Sequence, residues 1–327
     1  MRMETTPNKK IQIWLIFVSF MVFAMAVIGA ITRLTESGLS MVEWRPLIGW
    51  IPPLSETEWQ RVYGLYQQSP EFSHKHYWME IDDFKRIFFW EWLHRLWGRL
   101  IGLAYALPLL WFAYKKELPK GDGWKYFGLL ILGGAQGLLG WWMVKSGLVD
   151  RPDVSHFRLA AHLSLALVLF ALLWWLALDL AENKKTPVKR KTYIHGLGAL
   201  LFLAITIIWG AFVAGLDAGK IYNSWPLMNG SFSPPEEFNS SSIIDQHAWV
   251  QFTHRWIAFL TGAAIIVLSM KIKDIALALI VFAQITLGIL TLLSGVSITL
   301  AALHQAGAII LLALLLRALH RMKLEKN

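Results

Sequence analysis

Taken in order, the hydrophobic and polar positions divide this chain into eight apolar runs, at about 11–32, 88–114, 124–144, 157–179, 194–215, 252–270, 274–293 and 300–319. Each is long enough to cross a bilayer as a helix. A helix satisfies its own backbone N–H and C=O groups, so the pattern predicts an all-α membrane protein of eight transmembrane helices. Lysine and arginine gather in alternate loops: Lys9 and Lys10, Lys115 to Lys125, Lys184 to Lys191, Lys271 and Lys273, then Arg317 to Lys323. The intervening short loops are poor in them, with only Lys220 in 216–250 and none in 294–299. The positive-inside rule then places both termini in the cytoplasm. The long segment 33–87 falls outside, carrying Glu56, Glu58, Glu71, Glu80, Asp82, Asp83 and four tryptophans. It is too long for a connector. It either caps a site at the outer membrane face or rests, solvated, on the headgroups.

The runs form two similar sets of four. Gly29, Ala30, Gly38, Trp44, Gly49 and Pro53 recur at constant offset as Gly210, Ala211, Gly219, Trp225, Gly230 and Pro234. His94, Arg95 and Gly102 recur as His254, Arg255 and Gly262, and Gln136, Gly140, Ser146 and Gly147 as Gln284, Gly288, Ser294 and Gly295. An even number of helices per copy gives both copies the same direction, a parallel repeat about an axis along the membrane normal. The expected domains are an N-terminal half, 1–180, and a C-terminal half, 181–327.

Composition narrows the chemistry. The chain is 56% hydrophobic with a mean hydropathy of +0.46. Its net charge of +9 resides in the loops, so it reports topology rather than nucleic-acid binding. The N-terminus shows neither a cleavage site nor a transit-peptide composition. With no cysteine, disulfides, iron–sulfur clusters and covalent haem attachment are excluded, and any metal must be held by His, Met or carboxylate.

Four of the ten histidines lie inside runs, one on each even-numbered span: His94, His162, His254 and His304. Each is expected four to seven residues from its helix start, all at one depth near the outer face. Ionisable groups within a bilayer are costly and mark function. Neutral imidazole is a good ligand for haem iron, and two facing helices can supply both axial ligands. A flat macrocycle also needs room, and Gly98, Ala166, Ala258 and Ala308 stand four residues after the histidines, with Gly102 and Gly262 eight after the first and third. Arg95, Arg255 and Arg158 are placed to meet haem propionates. The remaining histidines, in loops and at helix ends, read mostly as solvated. One difference separates the sets: Glu91 stands three residues before His94, where Gln251 stands before His254. Glu91 is thus a candidate for proton transfer in the first set only.

The stretches GAITRLTESGLSMVEWRPLIGWIPPLSETEW (29–59), FFWEWLHRLWGRLIG (88–102), GGAQGLLGWWMVKSGL (133–148) and FTHRWIAFL (252–260) resemble the haem A synthase family, in its cysteine-free branch shared by proteobacteria and mitochondria. The resemblance implies an oxidoreductase of the bacterial inner membrane that converts the C8 methyl of haem O to a formyl group, giving haem A for cytochrome oxidase. It implies one haem b on His254 and His304, with Arg255 beside it. The substrate haem O would lie at His94 and His162, near Arg95 and Arg158, with Glu91 as the catalytic carboxylate. It also implies a haem O synthase (protoheme farnesyltransferase) as partner. An electron donor and membrane lipid complete the expected partners, and a homo-oligomer is compatible. Two other classes compete on the residues alone. A di-haem cytochrome b electron carrier would keep both haems unaltered. A transporter, for which parallel repeats are common, leaves the four matched histidines unexplained.

Overall fold

The computed structural model describes residues 7–44, 49–149, 152–181 and 185–325; Lys184, one of the loop cations, lies outside them. The chain is helical throughout its long elements. Among the described residues, eight helices are long and apolar enough to cross a membrane: α1 (Pro7–Leu34), α3 (Ile81–Tyr114), α4 (Gly123–Lys145), α5 (His156–Asp179), α6 (Arg190–Gly215), α7 (His247–Ile272), α8 (Ile275–Leu293) and α9 (Ile298–Arg321). Each matches one of the eight apolar runs. Hydroxyls within the spans are quenched locally, as Ser19 donates to the Leu15 carbonyl and Thr206 to that of Phe202, both at 2.8 Å.

Two compact units can be separated. One runs from Phe20 to Ala166; the other joins the chain up to Ser19 with Leu167 onward. In the second unit, Ile265 and Leu268 of α7, Leu277 of α8 and Leu315 of α9 are fully buried. Gly196 of α6 lets α9 come close, since a Cβ there would stand 2.7 Å from a Leu319 methyl. The strands β1 (Thr186–Val188) and β2 (Met322–Leu324) pair in parallel, Thr186 opposite Met322.

The first loop is folded. Its helix α2 (Glu56–Tyr66) is capped by Ser55, whose Oγ accepts the Glu58 N–H at 3.2 Å. Tyr66, Met79, Phe84, Ile87 and Phe88 form a buried cluster, against which Trp59, Tyr63 and Phe72 pack. The segment is therefore a small cap packed on α3, and the reading of it as a solvated loop fails.

This cap also explains a displaced helix start. The apolar run begins near 88, but α3 begins at Ile81, because Phe84, Ile87 and Phe88 bury one face in the cap cluster. Asp82 and Asp83 suit the positive end of the helix dipole, and the Glu80 N–H donates to Asp83 Oδ2 at 3.4 Å. His94 consequently stands in about the fourth turn of its helix, whereas His162, His254 and His304 stand near the second. The expected four-to-seven-residue spacing holds for those three and is corrected for His94.

Several histidines expected in solvent are engaged instead. His76 is buried in the cap; His320 is buried and bonds Asp179 at 2.8 Å; His195 bonds the Ala264 carbonyl at 2.8 Å. Each found a partner, which is the condition for burying an imidazole.

Candidate functional site

Each of the four span histidines is backed by a glycine of a neighbouring helix. A Cβ at Gly29 of α1 would meet the His94 ring at 3.1 Å, and one at Gly140 of α4 would meet His162 at 2.9 Å. In the second unit, Gly210 of α6 stands likewise against His254 at 3.1 Å, and Gly288 of α8 against His304 at 2.9 Å. Any larger residue would push the ring. These four glycines were visible in the sequence only as members of repeated pairs; their approach to the rings was not.

The rings fall into two kinds. Nδ1 of His94 and Nδ1 of His254 are buried and have no hydrogen-bond partner among the described residues. His162 and His304 are instead held by glutamines. Gln136 Nε2 lies 3.2 Å from His162 Nδ1 and donates to the His162 carbonyl at 3.0 Å. Gln284 lies 3.1 Å from His304 Nδ1 and donates to the His304 carbonyl at 2.9 Å. Within its unit His94 is an electrostatic neighbour of His162, and His254 of His304. Each predicted pair thus lies within one unit. Gln136 and Gln284 are site residues that the sequence reading noticed as repeats without assigning them a role.

The small residues after the histidines do not act alike. Gly102 faces open space, and Gly98 has only the Met25 methyl nearby, at 3.4 Å from a built Cβ. Gly262, repeat partner of Gly102, is used for packing: a Cβ there would stand 2.9 Å from Ile285 of α8. The clearance expected beside both first-position histidines is therefore found beside His94 and is replaced by helix packing beside His254.

Glu91 is buried, 3% exposed, at the junction of α3 and the cap. Its Oε2 accepts the Ser40 hydroxyl at 2.8 Å and the Met41 N–H at 2.6 Å, and its Oε1 accepts from Arg95 at 2.6 Å. Arg95 also donates to the Met41 and Glu43 carbonyls at 2.9 and 3.1 Å, and its guanidinium lies over Trp44. In the second unit Gln251 donates to the Tyr222 carbonyl at 3.1 Å, and Arg255 donates to the Tyr222 and Ser224 carbonyls at 2.8 and 3.1 Å. Both arginines thus tie a loop to the helix that carries the histidine. The expectation that they stand open toward a ligand's carboxylates must accommodate that work. Arg158 is partly exposed and turned to α4, donating to the Trp142 carbonyl at 2.7 Å with its guanidinium over the Trp142 ring. Arg99, which the sequence reading did not select, donates to the Gly49 carbonyl at 2.7 Å beside Trp50.

Arg95 makes Glu91 half of a buried ion pair, a positioned carboxylate that cannot leave its place without freeing a cation and a loop. Four partly buried imidazoles on apolar helices, two with a buried, unused Nδ1 and all with glycine at the back, form a donor set suited to haem iron.

Comparison with known proteins agrees. Residues 12–316 match the family model COX15-CtaA, described as cytochrome oxidase assembly protein. A protein of Rhodospirillum centenum named Heme A synthase is 45% identical across 96% of this chain and 89% of its own length. Proteins of the same name from Maricaulis maris and Flavobacterium psychrophilum are 44% and 43% identical, covering 94% and 96% of this chain and 94% and 98% of their own.

Proposed function

The chain belongs to the COX15-CtaA family of cytochrome oxidase assembly proteins, and from that membership we propose that it is a haem A synthase: a multi-pass membrane oxidoreductase that converts the C8 methyl group of haem O to the formyl group of haem A. The observation that supports this most directly is the glycine-backed histidines in both units, with Glu91 one turn before His94 where Gln251 stands before His254.

In this reading His94 and His162 hold the iron of substrate haem O, and His254 and His304 hold a resident haem b. A bound haem b supplies one-electron transfer between the substrate site and a redox partner. The protein's own residues do the rest. Gln136 and Gln284 fix the rotation of His162 and His304. The four glycines set how near each ring lies to the neighbouring helix. Glu91, held by Arg95, Ser40 and Met41, presents a carboxylate at the substrate site, where it accepts a proton or stabilises positive charge at the reacting methyl. The cap closes over this end of α3 and limits water there. Arg95, Arg255 and Arg158 are the cations this reading assigns to the propionates.

The halves 1–180 and 181–327 read as a parallel duplication of four spans, with both termini in the cytoplasm and the cap outside, in a bacterial inner membrane. A haem O synthase would deliver the substrate, which is too apolar to diffuse freely through water. Deleting the gene and resolving haems B, O and A from host membranes tests the proposal. Haem A should vanish while haem O accumulates. Unchanged haem A would overturn it in favour of a di-haem electron carrier.

A further inference from the structure

The cap buries a chain of titratable groups that the proposed chemistry at Glu91 does not use. Tyr66, fully buried at the end of α2, places its hydroxyl 3.0 Å from Glu71 Oε2 and 2.6 Å from His76 Nδ1. The other ring nitrogen of His76, Nε2, lies 3.2 Å from Glu36 Oε2. Glu36 is partly exposed and lies within 3.9 Å of Lys75, which in turn pairs with Asp153 at 2.6 Å. The chain therefore runs from a solvent-reaching carboxylate, through an imidazole and a phenol, to a carboxyl only 4% exposed.

The proton inventory of this chain is constrained. A phenol has one proton to give, so it can donate to Glu71 or to His76 but not to both. If Glu71 is ionised, Tyr66 donates to it, and His76 must carry protons on both nitrogens to meet the phenol oxygen and Glu36. If Glu71 is protonated, it donates to the phenol, Tyr66 donates to Nδ1, and a neutral His76 donates from Nε2 to Glu36. The two states hold the same number of protons and differ by the passage of one from Glu71 to His76. Burial, the largest influence, pushes the Glu71 carboxyl up to about 8, with Glu91 and Glu36 adding to it and Tyr66 and Lys75 opposing. Glu36 is held below the usual carboxylate range, first by its hydrogen bond from His76, then by Lys75, His76 and Arg33. Tyr66, which holds Glu71, packs in one cluster with Phe88 and Met41, and the Met41 N–H is the one that Glu91 accepts, so the buried end of the chain shares that cluster with the Glu91 latch.

We propose that Glu71, Tyr66 and His76 form a proton relay through the cap, with Glu36 at its solvent end and Glu71 at its buried end. In one cycle the Glu71 O–H bond breaks as its proton moves to the phenol oxygen. The phenol proton moves to Nδ1 of His76. The Nε2 proton leaves for Glu36 or water, and the imidazole's remaining proton lies on Nδ1. A half-turn of the imidazole then presents the bare nitrogen to the phenol and the protonated one to Glu36, which resets the ring without returning a proton to Glu71. Glu71, now ionised, takes the next proton from the site. This rests on the proposed oxidation of a methyl group, since each C–H bond broken with loss of electrons leaves a proton to be removed.

The test uses the purified full chain. Infrared titration should show a protonated-carboxyl stretch that disappears near pH 8. It should be absent in Glu71→Gln and shifted in Tyr66→Phe, which keeps the ring against Phe72 and Phe84. Conversion of haem O should slow by about 10²-fold in Tyr66→Phe and in His76→Gln, the low end of the effect of a positioned acid–base group. Haem content should be unchanged, and the pH profile of the residual rate should lose its Glu71 limb. Should Tyr66→Phe fail to accumulate, His76→Gln decides. Wild-type rate and pH profile in the variants, or no carboxyl titrating near pH 8, overturns the relay. If wild-type protein makes no haem A, the proposed function fails instead, and the infrared arm still decides the relay.

Discussion

The two histidine sets share a frame down to the glycine behind each ring, yet they hold their loops with opposite polarity. In the first, a carboxylate accepts from a backbone N–H, that of Met41, and from the Ser40 hydroxyl. In the second, an amide donates to a backbone carbonyl, that of Tyr222, and Ile221 stands where Ser40 would. Met41 and Tyr222 are repeat partners whose carbonyls both accept from the arginine, but residue 91 takes the Met41 N–H whereas residue 251 takes the Tyr222 C=O. A single-residue exchange between the sets is therefore not neutral. Putting Gln at 91 sets an amide N–H against a donor, and putting Glu at 251 sets a carboxylate against a carbonyl. The charge at the first site is built into the backbone around it.

The largest expected effect breaks this difference directly. Glu91→Gln should slow conversion of haem O by about 10²–10⁴-fold. Adding Ser40→Ile, to imitate the second set, should leave activity equally low. Haem b absorbance should persist in both. Conversion at the normal rate in Glu91→Gln would remove the catalytic role and leave Glu91 as a loop latch.

Next come the arginines. Arg95→Ala breaks a buried ion pair whose side chains are only 11% and 4% exposed, and should cost about 3–5 kcal/mol. Arg255→Ala strands only neutral carbonyls and should cost about 1–3 kcal/mol. Denaturant unfolding in detergent compares them; equal losses would show that the ion pair is not what distinguishes the first set.

A smaller effect sharpens the part the sets share. Gly288→Ala puts a methyl 2.9 Å from His304, and Gly210→Ala puts one 3.1 Å from His254. Both should lower haem b content, Gly288→Ala more. Unaltered pigment in both would mean that the rings have room to turn.

The smallest effect is confined to the cap. Glu71 is raised in the folded protein, mainly by burial, to about 8. Its contribution to stability is full below the ordinary carboxyl value and declines as pH rises from there through about 8. Glu36 is lowered, so its contribution is present above the ordinary value and lost as pH falls through the depressed one. Hydrogen exchange of the α2 amides, corrected for intrinsic rate, should show protection falling across the Glu71 window, and Glu71→Gln should flatten that slope.

The candidate site was legible in the sequence to an uneven degree. The histidines, Glu91 and its contrast with Gln251 stood out because a polar residue in an apolar helix is conspicuous. Gln136 and Gln284 were noted as repeats but not as ring holders, since a glutamine's reach across helices has no signature along the chain. For the segment 33–87 the sequence leaves a cap and a solvated loop equally open and places no element in it. Its helix is short and its mean hydropathy low, so burial of Tyr66 and His76 depended on α3 continuing upward to meet them.

What the sequence determined by itself is what depends on local order: eight spans, set by runs of apolar side chains that must hide their backbone, and the offsets at which chemistry recurs. What only the tertiary structure decided is which groups meet. Gly102 opens onto space while its partner Gly262 packs on Ile285; Arg95 binds Glu91 and the Met41 and Glu43 carbonyls; Glu71 reaches a tyrosine and, through it, a histidine. The physical reason is that hydropathy acts on each segment against its solvent, whereas hydrogen bonds and ring contacts need partners brought within about 3–4 Å from elsewhere in the chain.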